Sequence, residues 1–182
     1  FFICLDYISP MIQKLQRFKV NPFFHTYLSQ VKHTELEKEL VDSIQILEEL
    51  MGTLTPNKLA FAYASNKWTI AEVIGHCIET EIIFGYRALT IARSDERVDL
   101  PGYDENEFAS NMNMAGLSGP QLCQYAINVR HSTLNMLKTM SQDQLNKTGI
   151  ANNSEVQVVA LFYIISGHLR HHVSVIKHKY LG

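Results

Sequence analysis

Four of the eight histidines in this chain fall within "SGHLRHHVSVIKH", residues 166–178, at positions 168, 171, 172 and 178. Imidazole titrates near neutrality and is the commonest protein metal ligand, so such a cluster points to acid–base or metal chemistry. On a helix, His168 and His172 lie about 40° apart and one turn apart. They sit in the middle of an apolar stripe with Leu161, Ile164, Ile165 and Val175, while His171 and His178 fall at its edge. Burying an imidazole without partners costs roughly 1–3 kcal/mol, so something inside the fold must satisfy both rings. Rings at i and i+4 converge on one point, which suits a single metal ion. Satisfied core histidines are the plainer reading, and the spacing alone leaves both open. Leu169 stands where the HExxH protease motif carries its glutamate, which excludes that chemistry.

A third ligand has to come from another helix. His25 and His33 precede the first helix signal, and His131 has no patterned partner. His76, in "WTIAEVIGHCIETE", lies on the flank of an apolar stripe near Val73, Thr80 and Ile83, where it can face a neighbouring helix. Cys77 points about 100° away and reads as a buried structural thiol. Three imidazoles leave coordination positions open, which marks a catalytic site more than a structural one. Glu81 lies inside the apolar arc and calls for a partner, most simply an arginine. Arg87 is in line with His76 and reads as a salt-bridge residue by default, or as a holder of an anionic substrate. Asp104 and Glu105 read as solvated carboxylates within reach of a site mouth.

The elements that position these residues are helical. Thr34-Glu35-Leu36-Glu37 has the pattern of a capping box and predicts a helix to about Met51. Thr69-Ile70-Ala71-Glu72 is a second box, with Trp68 and Val73 placed as a hydrophobic staple, and predicts a helix to about Arg93. Ser118-Gly119-Pro120-Gln121 opens a third, to about Met140. Ser154-Glu155-Val156-Gln157 opens a last one reaching Tyr180. No hairpin signal stands out. The segment 94–117 is too long for a plain bundle loop, so it either holds a short helix or lies over something functional. The expected fold is all-α, a four-helix bundle in which that connection permits a crossover. The last helix carries a second apolar face, Val159, Phe162, Tyr163, Leu169, Val173 and Leu181. Two faces need two partners, which favours a homodimer over coverage by the N-terminal segment.

Bulk properties narrow the class. With 46% hydrophobic and 19% charged residues the chain reads as globular. The formal charge of −2 and the lack of a basic block exclude an electrostatic case for nucleic acid. No apolar run approaches the ~20 residues of a membrane span. The opening "FFICLDYISP" lacks a basic start and a small-residue cleavage site, so it does not read as a signal peptide. Residues 1–20 are set apart as an N-terminal extension and residues 21–182 as the domain. Cys4, Cys77 and Cys123 are widely spaced and odd in number, which argues against a disulfide framework and for a reducing, cytoplasmic setting.

"NKWTIAEVIGHCIETEIIFGYRALTIARSDERVDLPGYDENEFA" resembles the second helix and following loop of the DinB-like superfamily, in the branch that includes YfiT-type metal-dependent hydrolases. "VQVVALFYIISGHLRHHVSVIKHKYL" is similar to the last helix of that branch, with its Gly-His followed by a His-His pair. The resemblance spans residues 21–182 and is strongest at 66–108 and 154–181. It implies a four-helix bundle of down-up-up-down connectivity, usually dimeric. It also implies one divalent metal, commonly nickel or zinc, held by histidines that correspond to His76, His168 and His172. The implied activity is that of a hydrolase, or of an S-transferase using a low-molecular-weight thiol, on a small-molecule substrate. No side chain is assigned as general base. The alternatives are a non-catalytic, stress-associated metal-binding protein and a metal-free helical interaction module. Leu169 departs from the many relatives that carry an acidic residue there, where it can orient a ligand ring.

Overall fold

Four long helices carry the fold: α1 (Leu36–Met51), α2 (Ile70–Arg93), α3 (Gly119–Lys138) and α4 (Val158–Val175). The structure, a computed structural model, describes Leu15 and residues 17–182; most of the expected N-terminal extension, with Cys4, lies outside the described residues. The start of α2 is the predicted one. The Thr69 hydroxyl accepts from the Glu72 amide at 3.2 Å, and the Glu72 carboxylate accepts from the Thr69 amide at 2.7 Å, so two orphan donors are satisfied reciprocally. Ser118 and Gln121 cap α3 in the same way. The start of α1 is not the predicted one. Glu35 occupies the cap without a side-chain bond, and Thr34 instead offers its carbonyl to the Tyr163 hydroxyl.

Contacts between side chains fix the directions of the helices. Thr34, Glu39 and Asp42 meet Tyr163, Ser166 and Arg170 in that order, so α1 and α4 run parallel. His76 meets His168 while Trp68, ahead of α2, meets Tyr180, so α2 and α4 are antiparallel. Glu81 meets Arg130 and Arg93 meets Thr139, which makes α2 and α3 parallel. Glu37 pairs with Lys138, whereas Arg130 reaches Leu40, so α1 opposes α3. Both α3 and α4 pack against α1 and α2. The order is down-up-up-down.

Parallel neighbours require the chain to travel back along the bundle between them, and this accounts for the length of the second connection. It returns in contact with α2. The Pro101 carbonyl accepts from Arg87 at 2.9 Å, the Tyr103 hydroxyl pairs with Thr80 at 2.8 Å, and Met114 packs against Gly75. A short helix, Glu105–Asn111, lies within it, capped by Asp104.

The expectation of an all-α chain needs amendment, because a three-stranded sheet pins the connection in place. Strand β1 (Asp99–Leu100) pairs parallel with β2 (Thr148–Ala151), which pairs antiparallel with β3 (Ser154–Gln157). Ser154–Gln157 is therefore a strand and not a cap, and α4 begins at Val158. Asn152 and Asn153 turn the hairpin with φ of 50° and 59°, the left-handed region that asparagine tolerates better than most residues. No helix among the described residues is long and apolar enough to cross a membrane.

Most of the second apolar face of α4 is covered within the chain, with Val159 half-buried and Leu181, beyond the helix, exposed. Phe162, Tyr163, Leu169 and Val173 are all buried, against α1 and the segment 17–28, and Phe18 stacks on Tyr163 at 5.6 Å between centroids. That face gives no reason for a second subunit. The extra partner is the polypeptide ahead of α1.

Candidate metal centre

The three histidines that the resemblance singled out meet between α2 and α4. His76 Nε2 lies 3.1 Å from His168 Nε2, and His172 Nε2 lies 3.1 Å from the same atom. One nitrogen from each ring can be chosen so that all three fall within 4.8 Å of one another. Two of the positions come from one turn of α4, as the i, i+4 spacing requires, and the third comes from the flank of α2 facing it.

The close approach poses a question of proton accounting. A neutral imidazole nitrogen is either a donor or an acceptor, and as an acceptor it has one lone pair. His168 Nε2 faces two nitrogens at once, so no arrangement of single protons satisfies both contacts well. A cation satisfies all three. Imidazoles bound to one ion at about 2.0–2.1 Å place their nitrogens roughly 2.9–3.4 Å apart, from octahedral to tetrahedral angles. Two of the three separations fall in that range and the third lies within 4.8 Å, so the donor set suits a divalent ion of borderline softness.

Electrostatics keep the rings in the ligating form. Burial pushes His76 down to about 4. Burial, then the neighbouring His76 and His171, pushes His172 down to about 3. His168 is lowered well below its ordinary value, first by burial and then by the other imidazoles. All three are neutral at pH 7 with lone pairs available. Cys77 is buried, and burial raises its thiol far above neutrality, so it stays a protonated core residue.

Aromatic rings wall the cluster. The Trp68 ring lies 5.0 Å from His76. Tyr27 meets His168 edge-on at 5.0 Å and His171 at 5.4 Å. Tyr27 comes from the turns Pro22–Phe24 and His25–Leu28, which lie across α4 where Gly167 lacks a side chain: a Cβ there would sit 2.1 Å from the Tyr27 carbonyl oxygen. Gly167 precedes a ligand candidate in sequence because the covering segment needs that space.

The cluster opens on one side into a cavity of about 700 Å³, whose wall includes His76, His168, Tyr27, Thr80, Arg87 and Tyr103. The long connection supplies part of that wall and carries the short helix. Asp104 and Glu105 reach the cavity and are exposed. Asp104 is occupied in capping. Glu105 has no hydrogen-bond partner among the described residues.

Other sequence candidates sort themselves by partner. Glu81 is bound by Arg130 through two bonds of 2.8 Å, the structural pair expected of a carboxylate in an apolar arc. Of the two roles read for Arg87, the default one is not found: it makes no salt bridge among the described residues. His171 packs on Tyr27. His178 bonds the Ser174 carbonyl at 2.7 Å, and His33 lies 3.6 Å from Asp42. His131 is exposed, and His25 lies in the turn beside Tyr27. Sequence reading passed over Arg130, which is fully buried, and the pair Glu39–Arg170, joined at 2.7 Å. The usable signal was charge at a core position: Glu39 falls beside Leu40 and Ser43, and Arg130 beside Ala126 and Thr133.

A family model of the DinB superfamily matches residues 39–176. The structure is similar to that of YfiT from Bacillus subtilis, with a TM-score of 0.68 at 14% identity over 79% of this chain and 82% of that one. That protein is described as a probable metal-dependent hydrolase with an unusual four-helix bundle topology. No curated protein matches the chain in sequence.

Proposed function

This chain belongs to the DinB superfamily, and from that premise we propose that it is a divalent-metal-dependent enzyme acting on a small molecule. The reaction is hydrolysis, or transfer to a low-molecular-weight thiol. The observation that carries the reading is the convergence of three neutral imidazoles, two of them, His76 and His168, at the wall of a cavity large enough for a substrate. His76, His168 and His172 hold the ion, nickel or zinc as the family resemblance implies, and an all-imidazole donor set suits either. When bound, such an ion supplies Lewis acidity and lowers the pKa of a water or thiol that it coordinates.

The chain's own residues do the rest. Tyr27 and Trp68 exclude water from one side of the cluster and fix the ring planes of His168 and His76. The Tyr27 hydroxyl is raised, first by burial and then by Glu105, so it holds its proton at neutral pH. Glu39 and Glu81 are each bound by an arginine and stand outside the cavity wall. Glu105 is the cavity carboxylate without such a commitment, which makes it the candidate proton acceptor.

Elemental analysis of protein purified without an affinity tag tests the reading. About one equivalent of a transition metal is expected, with near-total loss in His168→Ala. Metal absent from the wild type, or undiminished in the variant, overturns it. The loaded protein is then offered an ester and an electrophile with a panel of thiols. Stoichiometric metal with no turnover on either leaves a metal-binding protein and removes the enzyme.

A further inference from the structure

Arg87 is the least explained charge in the molecule. Its residue surface is 5% exposed, yet among the described residues its guanidinium makes only one hydrogen bond, from Nη2 to the Pro101 carbonyl at 2.9 Å. No buried side-chain nitrogen among the described residues lacks a partner. The remaining Nε and Nη1 donors are therefore accessible, and the surface they reach is that of the cavity Arg87 lines. The guanidinium carbon lies 5.2 Å from the Phe84 ring centroid and 5.9 Å from that of Tyr103, so two rings hold it with its free edge presented. An arginine stays charged even when desolvated, and a desolvated cation with spare donors is matched by a carboxylate in two parallel bonds.

Its position sets the length of the matching molecule. His76 and Arg87 are eleven residues apart on α2, about 16 Å along the axis. Both side chains lean toward the N-terminus of α2, the guanidinium over Phe84 and the His76 ring toward Trp68, so roughly 16 Å remains to bridge. That is the span of about five residues of extended chain. Between the two ends lie the Tyr103–Thr80 hydrogen bond and the faces of Phe24 and Phe84.

We propose that Arg87 is the carboxylate-binding end of the substrate pocket, and that the substrate is an elongated carboxylate whose reacting atom lies at the histidine cluster. The assignment rests on the metal-centred reading for the reacting end only; the anion subsite stands on Arg87 and the cavity. The competing role is structural, with Arg87 as a strut that holds the long connection through Pro101.

Binding to metal-free protein separates the two. With 4-phenylbutyrate and its neutral amide as probes in calorimetric titrations, the carboxylate binds at least tenfold more tightly to the wild type. The preference falls to within twofold in Arg87→Gln and is partly kept in Arg87→Lys, while metal stoichiometry in both equals that of the wild type. Equal affinity for the two probes, or a preference that survives in Arg87→Gln, overturns the proposal. Should Arg87→Gln not fold, the Arg87 Nε–H resonance of the wild type decides: a shift on adding the carboxylate and not the amide supports the subsite, and no shift refutes it. Loss of metal in His168→Ala leaves this measurement untouched, so the two readings fail independently.

Discussion

Three imidazoles that crowd one another are weak bases, and this makes the site sensitive to acid in a definite direction. In the unfolded chain a histidine titrates near 6.5. In the fold His76 is held down to about 4 and His172 to about 3. Between those values and pH 6.5 the unfolded chain binds more protons than the folded one, so stability rises with pH across the window and is lost as pH falls through it. Calorimetry of the metal-free protein should show a melting temperature that is flat above pH 7 and declines from 6.5 to 4.5, before the carboxylates titrate. His168→Leu should decline less steeply over the same range, and an unchanged slope counts against buried neutral rings. A bound ion adds stability in proportion to its affinity for the fold alone, so a saturating metal should raise the whole curve. Trp68, the only tryptophan, reports the same event optically, since its ring lies 5.0 Å from His76. Nickel titration should quench its emission with the stoichiometry of binding, and His76→Ala should abolish the quenching.

At the scale of elements, the site depends on pieces that hold the helices' flanks. Gly167→Ala places a methyl carbon against the Tyr27 carbonyl, with the unmodified separation only 2.1 Å, so the covering turns must lift from α4. A cost of about 1–3 kcal/mol in denaturant unfolding is expected, the range for overpacking, with faster metal exchange as the shield opens. The hairpin makes a gentler test. Asn153→Gly should be neutral or stabilising, while Asn153→Ala should cost about 1 kcal/mol for its positive φ. These elements also mark what the sequence could convey. The Thr69 box and the α2 boundaries were legible because cap, staple and apolar arc agree there. The histidine pair was legible because a 3.6-residue period put it inside an apolar stripe. Ser154–Gln157 misled because a cap-like Ser-x-x-Gln also alternates as a strand, and only pairing with β2 decides between them. The second apolar face of α4 was legible as a face that needs cover, but a sequence does not show what covers it, and here the segment 17–28 takes much of that place. Arg87 was assigned the commonest fate of an arginine, when its real setting depends on a connection folding back along α2.

Across the whole molecule, the core divides into two apolar clusters, one around Leu40, Phe84 and Leu161 and the other around Leu47, Ile74 and Leu169. Between them lies a polar layer at the level of the histidines. On one side Glu39 joins Ser166 and Arg170; on the other Arg130 joins Glu81, Ser43 and the Leu40 carbonyl. Arg130 alone ties α1, α2 and α3 together, and α2 carries His76. Buried ion pairs of this kind add little net stability over apolar replacements, yet breaking one costs about 3–5 kcal/mol because the surviving charge is stranded. Arg130→Met should therefore lose stability in that range, and Glu81→Leu with Arg130→Met should recover most of it. The double-mutant cycle isolates the coupling between the two. The layer's distinctive contribution is then positional. If it sets the height of α2 against α4, the double variant should fold near wild-type stability but bind metal at least tenfold more weakly, the loss typical when support behind a ligand is removed. Wild-type affinity in that variant would show that the apolar clusters alone bring His76 to His168 and His172.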